Sequence, residues 1–210
     1  MKKFLILFST LLLTIPFCKA NGEGTFAFDI RSGVAIIGHD PGVLDNWRNG
    51  WRLEIVPMYF ITPSIRIFAS GAYSRFPYAG DNVPGNPDPF NFRMDVQGEA
   101  SSIYEFSVGT RLGTFDLPVN PFFSIRVGAY ITNPGGISIT WTRITVAPGY
   151  LKVNHVDPNT SITRMFGSAS MGFMVGLSDQ WKVSVEAGYS ATFDGRQTLI
   201  PLLLGLGYEP

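Results

Sequence analysis

Three observations predict an all-β chain closed into an antiparallel up-and-down barrel of eight strands. Apolar and polar residues alternate strictly over long stretches. The stretches run twelve residues or more, against about 5–6 for strands of ordinary soluble domains. The connections between them alternate between long and short. The pattern is plainest at Trp181–Phe193, where Trp, Val, Val, Ala, Tyr, Ala and Phe take the odd positions and Lys, Ser, Glu, Gly, Ser and Thr the even ones. Period 2 puts these two sets on opposite faces of a strand. An Asp194-Gly195 turn leads into a last strand, where Leu202, Leu204, Leu206 and Tyr208 alternate with Leu203, Gly205 and Gly207.

The start of the chain reads as a signal peptide over residues 1–20, with 21–210 as the barrel domain. Lys2 and Lys3 precede an apolar run from Phe4 to Phe17, too short for a membrane helix, and Ala20 is a plausible cleavage point. A retained anchor is the other reading. Ile15, Pro16 and Phe17 before Cys18 do not fit a lipoprotein box, which wants small residues there. Past this segment 190 of the 210 residues remain, with 13 Lys and Arg against 16 Asp and Glu. No basic stripe points to nucleic acid. With Cys18 set aside, neither a disulfide nor a thiolate site is available.

The strands follow in order. The first, about 25–38, sets Phe26, Phe28, Ile30, Val34 and Ile36 against Ala27, Asp29, Arg31, Gly33 and Ala35. After a loop over 39–48, the second, about 49–60, sets Trp51, Leu53, Ile55 and Tyr59 against Arg52 and Glu54. Val56, Met58 and Phe60 then fall on the polar parity, and Pro57 cannot donate to a ladder, so a bulge or frayed end is expected there. A tight turn at Ile61–Ser64 leads to the third strand, about 65–76. A long loop follows over 77–101, with four prolines between Pro77 and Pro89 and the acidic Asp81, Asp88, Asp95 and Glu99. The fourth and fifth strands, about 102–115 and 121–132, are joined by a short turn. The excursion over 133–161 is β-prone at 137–146 and 150–156, so strand extensions or a small hairpin are expected. Strands at about 162–177, at 181–193 and at the chain end complete the eight. Short connections fall on one rim and long ones on the other, apart from the short last one. That is the arrangement of a barrel with a tight-turn rim and a loop rim.

Alternation alone fits a soluble secreted barrel as well. Four features favour a membrane: strand length, a Gly- and Ser-rich polar parity suited to a narrow interior, the signal segment, and aromatics near both strand ends. Those aromatics are Trp51, Tyr59, Tyr73, Trp181, Phe193 and Tyr208, together with Tyr104, and they form the expected girdle at the two interfaces. Closure follows, because an open sheet edge in lipid leaves backbone groups unpaired. The pattern over 25–208 resembles the small eight-stranded bacterial outer-membrane barrels, such as the membrane domain of outer membrane protein A and outer membrane protein X. The resemblance implies residence in the Gram-negative outer membrane, contact with its lipid, and handling by the barrel-assembly machinery. That family usually ends on an aromatic residue, whereas here Tyr208 is followed by Glu209 and Pro210, and no peptidoglycan-binding domain is expected after the barrel.

The interior parity carries Asp29, Arg31, Arg52, Glu54, Arg111, Arg126 and Glu186, with Arg66, Glu105, Arg164 and Lys182. Unpaired charge is costly in a narrow interior, so a lumen network of ion pairs is expected. The other reading of these charges is a charged constriction in a narrow, porin-like channel or small-ligand carrier. A lipid A-modifying hydrolase needs a serine with a histidine in reach. The only histidines, His39 and His155, fall in loops with no His-x-Ser spacing. No catalytic, cofactor or metal site is therefore expected, and the role expected is structural or surface-interacting, through the long loops and an unknown surface ligand.

Overall fold

The structure, a computed structural model, describes residues 24–39, 47–79, 92–114, 117–143, 150–153 and 160–210. The leader and the acidic tip of the 77–101 loop therefore lie outside the described residues. The described residues form eleven strands: β1 Phe26–His39, β2 Gly50–Thr62, β3 Ile65–Phe76, β4 Phe92–Gly98, β5 Ser101–Gly113, β6 Val119–Asn133, β7 Ile137–Arg143, β8 Tyr150–Val153, β9 Ile162–Gly176, β10 Trp181–Thr192 and β11 Thr198–Tyr208. Eight of them close into a barrel in the order β1-β11-β10-β9-β6-β5-β3-β2, and the other three form a separate sheet β4-β7-β8. Every barrel strand is antiparallel to both neighbours and lies beside its predecessor in the chain, which is the up-and-down topology.

The alternation sorts by face as period 2 requires. Phe26, Ile30 and Val34 of β1, Phe106 and Val108 of β5, Phe123, Ile125 and Val127 of β6, and Leu202, Leu204 and Leu206 of β11 are exposed on the outer wall. Asp29, Arg31, Arg52, Glu54, Glu105, Arg111, Arg126 and Glu186 are buried inside. Compared with a water-soluble barrel the molecule is inside out, and its outer face is built for hydrocarbon. Glycines on the inward parity make room for the charges. A β-carbon at Gly207 would lie 2.3 Å from the Asp29 carboxylate, and one at Gly205 would lie 2.8 Å from the Arg31 stem.

Two expectations need correction. The sequence suggests a bulge or fray at Pro57, but β2 runs through it. Ile55 pairs with Gly71 and Met58 with Phe68 in one register, and the irregularity lies further on, between Phe60 and Thr62. What Pro57 removes is a single link. The Val56–Ser70 and Pro57–Ala69 pairs drop out of the β2–β3 ladder, because proline has no N–H to give the Ala69 carbonyl. Pro201 does the same in the β10–β11 seam, where the ladder breaks between Ala187–Leu202 and Ser190–Leu199 without changing register. Second, the 77–101 stretch is not all loop, since it contains β4. The strand extensions expected in 133–161 are present as β7 and β8.

The β10–β11 turn is closed by Asp194, which accepts hydrogen bonds from the Thr192 hydroxyl at 2.6 Å and the Arg196 amide at 3.1 Å. These hold its carboxyl below the usual range. Gly195 follows at φ 69°, a left-handed position that glycine takes without strain.

Candidate functional site

The lumen is filled in layers. Toward the loops, Ala35, Phe76, Ile103, Tyr130, Phe166 and Leu199 form a buried cluster, with Ile37 and Trp47 packed against it. Tyr130 and Phe166 stack face to face with centroids 4.1 Å apart. The Tyr130 hydroxyl is bonded to the hydroxyl of Ser190. Trp47 donates its indole N–H to the Glu99 carbonyl at 2.8 Å and meets Tyr78 edge-on at 5.9 Å. It thereby ties the segment before β2 to the segment after β3 and to the start of β5, over the apolar cluster.

Below this layer the charges form two closed quartets. In the first, Arg31 bonds Asp29 and Glu186, each at 2.6 Å, and Arg111 bonds the same two carboxylates at 3.2 and 3.1 Å. In the second, Arg52 meets Glu105 at 2.9 Å and Glu54 at 3.7 Å, while Arg126 bonds Glu54 and approaches Glu105 at 3.6 Å. Arg126 also lies 3.6 Å from Glu186, which joins the two rings. Each ring holds two guanidiniums and two carboxylates, so each is neutral by itself. Arg111 lies 4.1 Å over the Phe122 ring and donates to Ser124 at 3.1 Å. All seven residues singled out from the sequence are thus brought together, and Glu105 completes the second ring. The members come from β1, β2, β5, β6 and β10, so only the closed barrel assembles them.

Toward the tight turns, Ala27, Val56, Met58, Phe60 and Phe68 form a second buried apolar cluster. Beside it, Arg66 lies 4.0 Å over the Phe60 ring. Arg66 and Lys182 both bond Glu209, so the chain end is tied across the barrel mouth. Sequence reasoning missed this role of Glu209. The visible signal was an acidic residue directly after the last strand, with two basic residues on the inward parity near the same rim.

On the outer wall the girdle residues fall into two sets. At the loop end Trp51, Tyr73 and Tyr104 run ring to ring, with centroids 5.3 and 5.1 Å apart. At the turn end Tyr59 meets Phe26 at 4.9 Å, and Tyr208 meets Trp181 at 5.1 Å and Phe28 at 5.8 Å. Phe193 is exposed at the β10–β11 turn and stands apart from both sets. Shallow apolar grooves of about 700 Å³ lie around Pro57, Ala69, Val108 and Val127 on the same wall. The His39 side chain and His155 lie outside what the structure describes. Among the described residues no group of three or more His, Cys, Asp or Glu is placed to hold a metal.

No protein-family model and no curated protein sequence matches the chain. Solved structures do. Neisserial surface protein A superposes with a TM-score of 0.53 at 12% identity, covering 88% of this chain and 97% of that one. Ail, the attachment invasion locus protein of Yersinia pestis, superposes with a TM-score of 0.52 at 13% identity, covering 90% of this chain and 99% of that one. A second structure of Ail, in complex with the heparin analogue sucrose octasulfate, gives 0.51 at 14%. At these identities the likeness establishes the fold, the small eight-stranded transmembrane β-barrel.

Proposed function

We propose that the chain is an integral outer-membrane barrel with a sealed lumen, serving a structural or surface-interaction role rather than a catalytic or conducting one. The observation that carries this reading is the filling of the lumen: apolar cluster, two neutral charge quartets, apolar cluster, in series from loops to turns. A solute crossing the barrel would have to displace stacked Tyr130 and Phe166 and then break ion pairs whose members, once separated in so narrow a space, are costly to leave uncompensated. What remains available is the outside. The apolar wall faces outer-membrane lipid and the barrel-assembly machinery during insertion. The loop end faces a surface ligand. The similar solved barrels are by name a surface protein and an attachment invasion locus protein, and a surface role for this chain is in line with them.

Single-channel recording in planar bilayers tests the sealed lumen. Purified, heat-modifiable protein should give no stable conductance steps, and neither should the Arg126→Gln or Glu186→Gln variants. Stable steps in the unmodified protein whose size changes in either variant would replace this reading with a charged pore.

A further inference from the structure

The charges of the eight barrel strands face inward, with one exception. Among the described residues Arg75 of β3 is the single Asp, Glu, Lys or Arg on the outward parity, and it is exposed. It pairs in register with Trp51 on one side and Ser102 on the other. Arg75 therefore stands at the height of the loop-end girdle, beside the ring row Trp51, Tyr73 and Tyr104. It makes no ion pair among the described residues. A guanidinium at this height meets lipid headgroups, and phosphate is the anion there whose geometry it matches with two parallel hydrogen bonds.

A second, independent feature lies directly below Arg75 on the same strand. Going deeper, the outward residues of β3 are Tyr73, Gly71, Ala69 and Ile67. The two smallest form the floor of a groove of about 700 Å³, with Ile55 and Pro57 of β2 on one side and Phe106 and Val108 of β5 on the other. Glycine weakens a strand interior, and where it is found there it often marks close approach by another molecule. Gly71 has no positive φ to account for it. Nor is it crowded like the inward glycines, because a β-carbon there would meet no described atom within 4 Å. What the missing side chain provides is the open groove. Gly71 is four residues from Arg75, about 13 Å along the strand and about 10 Å deeper at a tilt of about 40°. The groove thus lies within the hydrocarbon while Arg75 is level with the headgroups.

We infer that this face of β2-β3-β5 is a binding site for one phosphate-bearing lipid of the membrane leaflet at the loop end. Its phosphate pairs with Arg75, and an acyl chain runs down past Tyr73 over Gly71 and Ala69. This inference rests on the outer-membrane placement proposed above and adds to it a particular lipid position on the wall. A single cation above an apolar groove fits a molecule with an anionic head and an apolar tail. It does not fit a free anion, which would leave the groove unused, or a second barrel, whose like face would set Arg75 against its own copy.

Native mass spectrometry of the full chain, purified in detergent from outer membranes of an expression host, tests the site with dioleoylphosphatidylglycerol as the probe. One lipid should be retained per chain. Dioleoylphosphatidylcholine, with the same chains and no net charge, should be retained far less. Arg75→Gln should weaken retention of the phosphatidylglycerol about fivefold, and Gly71→Leu, which fills the groove, by a similar factor with heat-modifiable migration kept. Should that leucine prevent folding, Ala69→Leu fills the same groove. Ala187→Leu adds the same bulk to the exposed wall of β10 and should change nothing. Unchanged retention in either the Arg75 or the groove variant, equal retention of the two lipids, or an equal loss in Ala187→Leu would overturn the inference. So would displacement of the lipid by inorganic phosphate alone, or a dimer mass that Gly71→Leu abolishes. Loss of the heat-modifiable band from the unmodified protein would instead strike at the barrel reading itself.

Discussion

Glu186 is the residue on which the two quartets depend most, and Glu186→Gln is the sharpest test of the lumen. It accepts from Arg31 at 2.6 Å and Arg111 at 3.1 Å, and Arg126 stands 3.6 Å away. The amide keeps the shape but removes the charge, leaving four guanidiniums against three carboxylates in a space closed at both ends. Breaking a buried pair by removing one partner costs about 3–5 kcal/mol. The three contacts act as a unit, so they do not add to three such losses. The expected loss is therefore roughly 3–5 kcal/mol in all. Reversible urea unfolding in lipid vesicles, followed by tryptophan fluorescence and by heat-modifiable migration, measures it. Arg111→Met in the Glu186→Gln background restores a three-to-three balance and keeps an unbranched chain over Phe122 and Phe68. That double variant should regain at least half of the loss. A single variant within about 1 kcal/mol of the unmodified protein would refute the argument that the lumen charges depend on one another. So would a double variant as unstable as the sum of its two single changes.

Further outcomes follow from other parts of the barrel. Tyr208→Asp removes the ring that meets Trp181 and Phe28, and should lower the inserted fraction in outer-membrane fractions far more than Pro210→Asp. Equal insertion would show that the assembly signal lies elsewhere. Phe166→Ala removes a fully buried ring stacked on Tyr130, and should cost about 3–5 kcal/mol in the same urea experiment. It should leave planar bilayers silent, because the quartets and the turn-side cluster remain in series. Pro57→Ala supplies the missing donor to the Ala69 carbonyl. A hydrogen bond contributes about 0.5–1.5 kcal/mol, partly offset by about 0.4–1 kcal/mol from a freer unfolded chain. The clearer readout is thus hydrogen exchange, in which the amides of the β2–β3 seam should become better protected.

Most of the architecture is legible in the sequence, for a physical reason. A lipid-facing wall forces every second residue to be apolar, so strand ends, turn rims and inward charges can all be read from parity. The same logic breaks down where the lumen itself is apolar. Val56, Met58 and Phe60 sit on the polar parity and look like a fraying strand, yet they are buried and plug the turn end. Phe68, Phe122 and Phe166 likewise fall among polar neighbours because a narrow interior needs bulk as well as charge. The partners within the quartets are not readable either. Arg31 and Glu186 are 155 residues apart, and only barrel closure fixes their height relative to each other. β4 is hidden because its hydrogen bonds go to β7, far along the chain, and the prolines before it read as loop.

The two proline gaps have a mechanical consequence. The seam where the chain's two ends meet is a natural candidate for the weak join of a cylinder. Here β1 and β11 pair from Phe28–Tyr208 to Ile37–Leu199 without a missing rung. The missing rungs are at Pro57 and Pro201, in the seams on either side of the three staves β11, β1 and β2. Under load, or on heating, the cylinder should part along those two lines. It would then release a panel that still joins the beginning of the barrel to its end, while the other five staves keep their own pairing.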